Sequence, residues 1–124
     1  MPSYNIDSLD IYTLSKRLNI ESYPLIRSMK DFSYRDQMTR SCLSVASNIA
    51  EGYGRRNPNA FRLFLDYALG SLFEFQTQLE LAVANRLLTI DSATPIFLLV
   101  DELIPTIINF RKSLPDKHPP TTNN

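Results

Sequence analysis

Apolar residues recur every three or four positions along most of this chain, which is the spacing of one face of an α-helix. The longest stripe repeats at 4-3-4-3-4-3 spacing and predicts a helix over residues 58–86. Its members are Phe61, Leu65, Ala68, Leu72, Phe75, Leu79 and Ala82. Shorter stripes predict three further helices, near residues 7–29, 33–54 and 92–114. Since the predicted connections are short, the pattern favours an all-α fold, an antiparallel up-and-down four-helix bundle over residues 1–115.

Polar residues beside these stripes indicate where each helix begins and ends. Asn57 followed by Pro58 suits the N-cap and the first position of the third helix. Gly52 and Gly54, just before that pair, predict the end of the second helix. The expected caps of the other helices are Asp7 or Ser8, Ser33 with Asp36, and the stretch Asp91, Ser92 and Thr94-Pro95.

Two prolines and a glycine lie inside the helical patterns. Pro24 and Pro105 each remove one backbone hydrogen bond, so we expect the first and fourth helices to be kinked or divided there. Gly70 weakens the third helix by about 1 kcal/mol relative to alanine. Because Ala68 and Ser71 flank it, Gly70 predicts a close crossing with another helix.

The third helix is apolar on more than one face. Four apolar side chains lie off its main stripe, and these are Phe64, Leu69, Phe73 and Leu81. A helix with two apolar faces usually lies between neighbours, either inside a bundle or at a subunit interface. The pattern therefore leaves both places open for this helix.

Composition describes an ordinary globular domain with an uneven distribution of charge. The 124 residues are 44% apolar and 21% charged, and the net charge is zero. Residues 35–62 carry five arginines and two acids, whereas residues 66–102 carry six acids and one arginine. Faces of opposite sign favour an anionic partner or packing against a second copy, although an ordinary solvated surface also fits. No secretory signal and no uninterrupted run of about 18 apolar residues occurs, so we expect a cytoplasmic protein with no membrane partner.

The residue types of catalytic and metal sites are scarce. His118 is the only histidine, and it falls in residues 116–124, which we predict to be a disordered tail. Cys42 is the only cysteine and lies on an apolar stripe, where a buried, inert thiol is the usual state. Without a second histidine, catalytic triads and bundle metal sites lack their usual members. We therefore predict no enzymatic activity, no metal site and no cofactor.

Polar residues around the second and third helices form the one candidate binding site. They are Arg40, Asn48, Glu51, Arg55, Arg56 and Arg62. Glu51 and Arg55 are four residues apart and can pair along the helix. One interpretation is a salt-bridge network that fixes the turn between the two helices. The other is a basic corner that binds phosphate or an acidic partner, with few contacts and therefore with weak, salt-sensitive affinity.

Several blocks of residues resemble the signature of the 23S rRNA intervening-sequence proteins, which are often called four-helix bundle proteins. The first block is Arg35-Asp36-Gln37-Met38 with Arg40, Ser44 to Gly52, and Arg55-Arg56. The second block comprises Phe61, Phe64-Leu65, Ala68 to Leu72, Glu74 and Thr77 to Glu80. The resemblance covers residues 9–114 and implies a four-helix bundle that forms a ring-like homo-oligomer, a pentamer by analogy with relatives.

The resemblance also implies two functions. The first is a non-enzymatic, self-assembling scaffold that binds RNA or a protein. The alternative is an accessory subunit of a diversity-generating retroelement, which would bind a reverse transcriptase and RNA or DNA, as accessory variability determinant proteins do. The neutral charge balance departs from this pattern, because a nucleic-acid-binding member is expected to be basic.

Overall fold

A computed structural model describes residues 5–115 and places most of them in four α-helices. The helices are α1 (Asp10–Ser28), α2 (Phe32–Gly54), α3 (Pro58–Ala84) and α4 (Ile90–Ser113), preceded by a short 3-10 turn at Ile6–Ser8. The part of the chain that the structure describes contains no strand, so the predicted all-α class is confirmed. The predicted tail at 116–124, with His118, lies outside the described residues.

Each helix packs mainly against two others, so that the four form a square bundle. The packed pairs are α1 with α2, α2 with α3, α3 with α4, and α4 with α1. Connections of three, three and five residues join them in chain order. Such short connections turn each helix back along the one before it. α1 and α3 therefore lie at diagonal corners of the bundle.

The predicted α3 stripe is the centre of the core. Leu65, Ala68, Leu72, Phe75 and Leu79 are fully buried, and they pack in one cluster with apolar residues of the other helices. The heptad spacing places all of these side chains on one side of a helix 27 residues long. α3 thus contributes seven buried side chains to the shared core.

The caps follow the prediction in one helix and differ in three. Asn57 caps α3 as predicted, and its Oδ1 accepts hydrogen bonds from the backbone N–H of Asn59 and Ala60 at 2.8 and 3.1 Å. α2 is capped by Asp31 and α4 by Thr89, whose side chains accept from backbone N–H groups three residues on. α1 follows Leu9, which has no capping side chain. The predicted caps Asp7 or Ser8, Ser33 with Asp36, and Asp91 to Pro95 are therefore wrong.

The internal prolines do not divide their helices. α1 continues past Pro24, and α4 continues past both Pro95 and Pro105. Pro24 and Pro105 lie on the exposed side of the bundle. There, the carbonyl groups that lose their intrahelical partners can turn towards water, which makes the cost of an internal proline tolerable.

The close approach of two helices occurs at Gly52, not at Gly70. A Cβ on Gly52 would lie 2.8 Å from both Phe61 Cδ1 and Phe64 Cβ, so α3 packs directly on the α2 backbone. A Cβ on Gly70 would meet nothing within 4 Å, so the predicted crossing at Gly70 does not occur within the subunit. In the turn after α2, Arg56 adopts a left-handed backbone conformation with a φ of 58°.

α4 is long and apolar enough to cross a membrane, judged by length and composition alone. A third of its most apolar 18-residue window is buried inside the bundle. Leu99, Val100 and Leu103 are among the residues that pack in the shared core. Core helices commonly pass the same test, and the carboxylates of Asp101 and Glu102 are exposed near the middle of α4. We therefore interpret α4 as one of the four core-forming helices of the bundle.

Candidate binding surfaces

The six predicted binding residues do not form one cluster. Arg40 lies on α2, 15 positions before Arg55 at the C-cap of that helix, which separates them by about 22 Å at 1.5 Å per residue. The Arg40 guanidinium hydrogen-bonds to the side chain of Gln37, one turn away. Arg40 therefore lies outside the corner between α2 and α3.

The predicted pairing of Glu51 with Arg55 is confirmed. Arg55 donates from Nε and Nη2 to Glu51 Oε2 at 3.1 and 2.9 Å. Its guanidinium also lies 5.0 Å from the centre of the Phe64 ring on α3. Both charged side chains are about half exposed, so the pair adds little stability but fixes the direction of Arg55. Glu51 offsets part of the positive charge of this corner.

Asn48 belongs to a row of polar contacts between α2 and α3. Its amide donates to the carbonyl and the hydroxyl of Ser44 at 2.8 and 2.9 Å. The Ser44 hydroxyl in turn accepts from Ser71 at 2.8 Å, and Ser41 donates to Gln78 at 2.7 Å. The Ser71–Ser44 and Ser41–Gln78 bonds join the two helices and fix how α2 and α3 pair, whereas the Asn48 bonds lie within α2. The Asn48 amide nitrogen is thus engaged inside the subunit.

Arg62 attaches the end of α4 to the beginning of α3. Its Nη1 donates to the carbonyl of Pro115 at 2.6 Å, and its Nη2 donates to Asn59 Oδ1 at 2.7 Å. Beside it, Arg111 makes a two-pronged pair with Asp66 at 2.8 and 2.9 Å. Because these donors already have partners, the Arg62 region is a structural contact and not an open anion site.

Arg55 and Arg56 are the two cations at the turn between α2 and α3. The Arg56 guanidinium lies 5.5 Å from the centre of the Tyr53 ring, and both arginines are exposed. Each cation is therefore supported by an aromatic ring, a geometry that holds a guanidinium at the surface. Two such groups can contact neighbouring phosphates of a nucleic acid. The carboxylate of Glu51 weakens that attraction, because it is negatively charged and pairs with Arg55.

The Cys42 thiol is buried in the core, as predicted. Its Sγ lies 3.5 Å from the Ser22 hydroxyl and 3.7 Å from the Asn19 amide. Burial raises the pKa of the Cys42 thiol, and the Ser22 hydrogen bond opposes that shift only in part. The thiol therefore stays protonated and unreactive at neutral pH. Within residues 5–115, no three metal-ligating side chains come together.

A second stripe on α3 faces solvent, and the sequence pattern revealed only part of it. This α3 ridge consists of Leu63, Tyr67, Gly70, Glu74, Thr77 and Leu81, with Phe73 beside it. Its four large apolar side chains are 47–51% exposed. The sequence pattern identified Phe73 and Leu81, whereas a second heptad spacing beginning at Leu63 would have shown the rest.

A shallow groove of about 320 Å³ runs between α1 and α2 on another side of the bundle. Three of the four α2 residues that line it are small, namely Ala46, Ser47 and Ala50. The remaining lining residues of this α1/α2 groove are Tyr12, Lys16, Asn19, Ile20 and Leu43. Lys16 is the only charged residue among them, so the groove is apolar with one positive group.

Comparisons with known proteins agree with this architecture. A family model described as 23S rRNA-intervening sequence protein matches residues 7–109. A solved structure of a protein of unknown function, from the S23 ribosomal protein family of Bacteroides thetaiotaomicron, superposes with a TM-score of 0.78. It is 22% identical and covers 83% of this chain and 99% of its own, so it shows the fold. No curated protein matches. The relation to accessory variability determinant proteins stays a prediction.

Proposed function

Since the chain belongs to the family of 23S rRNA-intervening sequence proteins, we propose that it is a non-enzymatic scaffold that assembles through its α3 ridge. The supporting observation is the exposure of four large apolar side chains on the outer side of the central helix. Large exposed apolar side chains grouped along one helix favour protein association at that surface. The proposal places this assembly in the cytoplasm.

The ridge has the length and regularity of a helix interface. Leu63 and Leu81 are 18 residues apart, which places them about 27 Å apart along α3. Between them, Tyr67, Gly70 and Thr77 continue the spacing of three and four residues. Such a stripe lies against a partner helix along its whole length. By analogy with the relatives that the sequence resembles, the proposed assembly is a ring of five copies.

Sedimentation velocity at micromolar concentration tests the assembly. We expect the wild-type chain to sediment as an oligomer and the Leu81→Lys variant to sediment as a smaller species. Leu98→Lys is the matched control, because Leu98 is 63% exposed on α4, away from the ridge. Equal sedimentation of both variants and the wild type as oligomers would exclude the ridge as the assembly surface. A monomeric wild type would exclude assembly itself.

RNA binding is a second candidate function, supported by the two exposed arginines at the turn. Arg55 and Arg56 lie next to each other, each beside an aromatic ring, at one end of the bundle. One subunit would bind weakly, because Glu51 pairs with Arg55. Assembly repeats the site around the oligomer, and several weak phosphate contacts together give a useful affinity.

RNA affinity at about 50 mM salt, a condition that favours phosphate contacts, tests this candidate. The double variant Arg55→Ala with Arg56→Ala is expected to weaken binding and to reduce its salt dependence. Arg17→Ala with Arg27→Ala removes the same charge from α1 and is the control. Equal losses in the two double variants would mean that only net charge matters, and absence of binding by the wild type would reject the candidate.

A further inference from the structure

We propose that the α3 ridge of one copy docks in the α1/α2 groove of a second copy. The inference rests on the proposed self-assembly and specifies the surfaces that meet. The two surfaces are complementary in shape and in charge.

The shapes of the two surfaces are complementary. The ridge carries bulky side chains such as Tyr67, whereas the α2 side of the groove is small at Ala46, Ser47 and Ala50, with the larger Leu43 one turn before them. Gly70 lies in the middle of the ridge and has open space around the position of its missing Cβ. The subunit therefore has no packing need for glycine there. A second helix with small side chains can approach this point closely.

The charges of the two surfaces are also complementary. Residues 63–85 contain three acids and no lysine or arginine. Within the described residues, the Glu74 carboxylate in the ridge has no ion-pair partner. Lys16 is the one charged residue lining the groove, and its pair with Asp7 at 3.2 Å is exposed on both sides. Such an exposed pair exchanges at little cost, so Lys16 can face Glu74 of another copy.

The same charges disfavour the other occupants of the ridge. If two ridges paired about a twofold axis, Glu74 near the middle would approach Glu74 of the second copy, and like charges repel. RNA phosphates would be repelled by the same carboxylate. A ridge in a groove is a heterologous contact, which leaves one free ridge and one free groove at the ends of any open series.

The positions of the two surfaces favour a curved series. The ridge lies at the α3 corner of the bundle, and the groove lies between α1 and α2. Since α2 contacts both α1 and α3, the two surfaces are not on opposite sides of the subunit. A head-to-tail series built on such surfaces turns with every added copy and can close into a ring.

Two variants, each defective on one surface, test the docking. Gly70→Arg places a long side chain on the ridge, and Ser47→Arg places one in the groove. Both positions are exposed in helices and arginine is a better helix former than glycine or serine, so both variants are expected to fold. Circular dichroism checks this. Asn109→Arg, on the exposed side of α4, is the control and is expected to assemble like the wild type.

Light scattering of each variant alone and of their equimolar mixture gives the decisive comparison. We expect each variant alone to be monomeric and the mixture to form a dimer with twice the subunit mass. In that dimer, the intact ridge of the Ser47→Arg copy fills the intact groove of the Gly70→Arg copy.

Three other results would overturn the proposed docking, and they differ in whether they also refute self-assembly. If Ser47→Arg alone dimerises while Gly70→Arg stays monomeric, the ridge pairs with itself. If both variants assemble like the wild type, other surfaces join the copies, and self-assembly stands without this docking. If the wild type is monomeric, the proposed self-assembly fails together with the docking.

Discussion

A Cβ added to Gly52 would lie 2.8 Å from Phe64 Cβ, which means that the α2 backbone rests directly on α3. The ring centre of the same Phe64 lies 5.0 Å from the Arg55 guanidinium, in a cation–π contact. The contact therefore links the packing of α2 on α3 to the position of the exposed arginines at the turn. It lies two residues before the end of α2, beside the candidate RNA contact at the turn.

Replacing Gly52 by alanine is expected to destabilise the protein. The new methyl group would overlap Phe61 and Phe64, and overpacking of this kind typically costs about 1–3 kcal/mol. Gly54→Ala is a matched control on the same helix, because a Cβ there meets nothing within 4 Å. Urea unfolding measures both free energies. Equal stability of the two variants would show that α2 and α3 are not in close contact at Gly52.

Loss of the α3 cap is expected to weaken the bundle. Asn57 Oδ1 accepts two hydrogen bonds from the first turn of α3, and removal of such a cap costs about 1 kcal/mol. Asn57→Ala should lower the free energy of unfolding by that amount. Asn57→Asp keeps an accepting oxygen and is expected to remain near the wild type. A loss in Asn57→Asp as large as that in Asn57→Ala would contradict the capping role.

The buried thiol is expected to make stability fall at alkaline pH. Burial raises the pKa of Cys42 in the folded state, whereas the unfolded thiol ionises near its ordinary pKa of about 8.5. Above that pH the unfolded state binds fewer protons than the folded state, so the free energy of unfolding decreases as pH rises. The free energy of unfolding is measured for the wild type and for Cys42→Ala from about pH 8 to about pH 10, a range around that pKa. The difference between the two proteins isolates the contribution of Cys42 from that of the other titratable groups. Identical pH dependence of the two proteins would refute it.

The sequence predicted the fold because the core is periodic. Positions such as Leu65, Leu72 and Leu79 repeat every seven residues, and a helix places them on one side. The caps were harder to predict because several polar residues lie near each helix start. Asp31 and Thr89 act as caps because their backbones are extended, and local composition does not show which residue is extended.

The candidate sites were predicted less well, because residues close in sequence can point to different sides of the bundle. Arg55 and Arg62 are seven residues apart, but Arg55 contacts Glu51 and Phe64, whereas Arg62 contacts the end of α4. The sequence pattern indicates the α3 ridge only in part, because Gly70, Glu74 and Thr77 interrupt its apolar spacing between Tyr67 and Leu81. The apolar pattern alone does not show which side of α3 faces the core.

The native mass spectrum of the wild-type chain at micromolar concentration tests most directly whether this bundle assembles. We expect one dominant species with a single subunit number above one, five by analogy with the relatives that the sequence resembles. A strictly monomeric spectrum would refute assembly, since the exposed α3 ridge would then have no second copy to cover it.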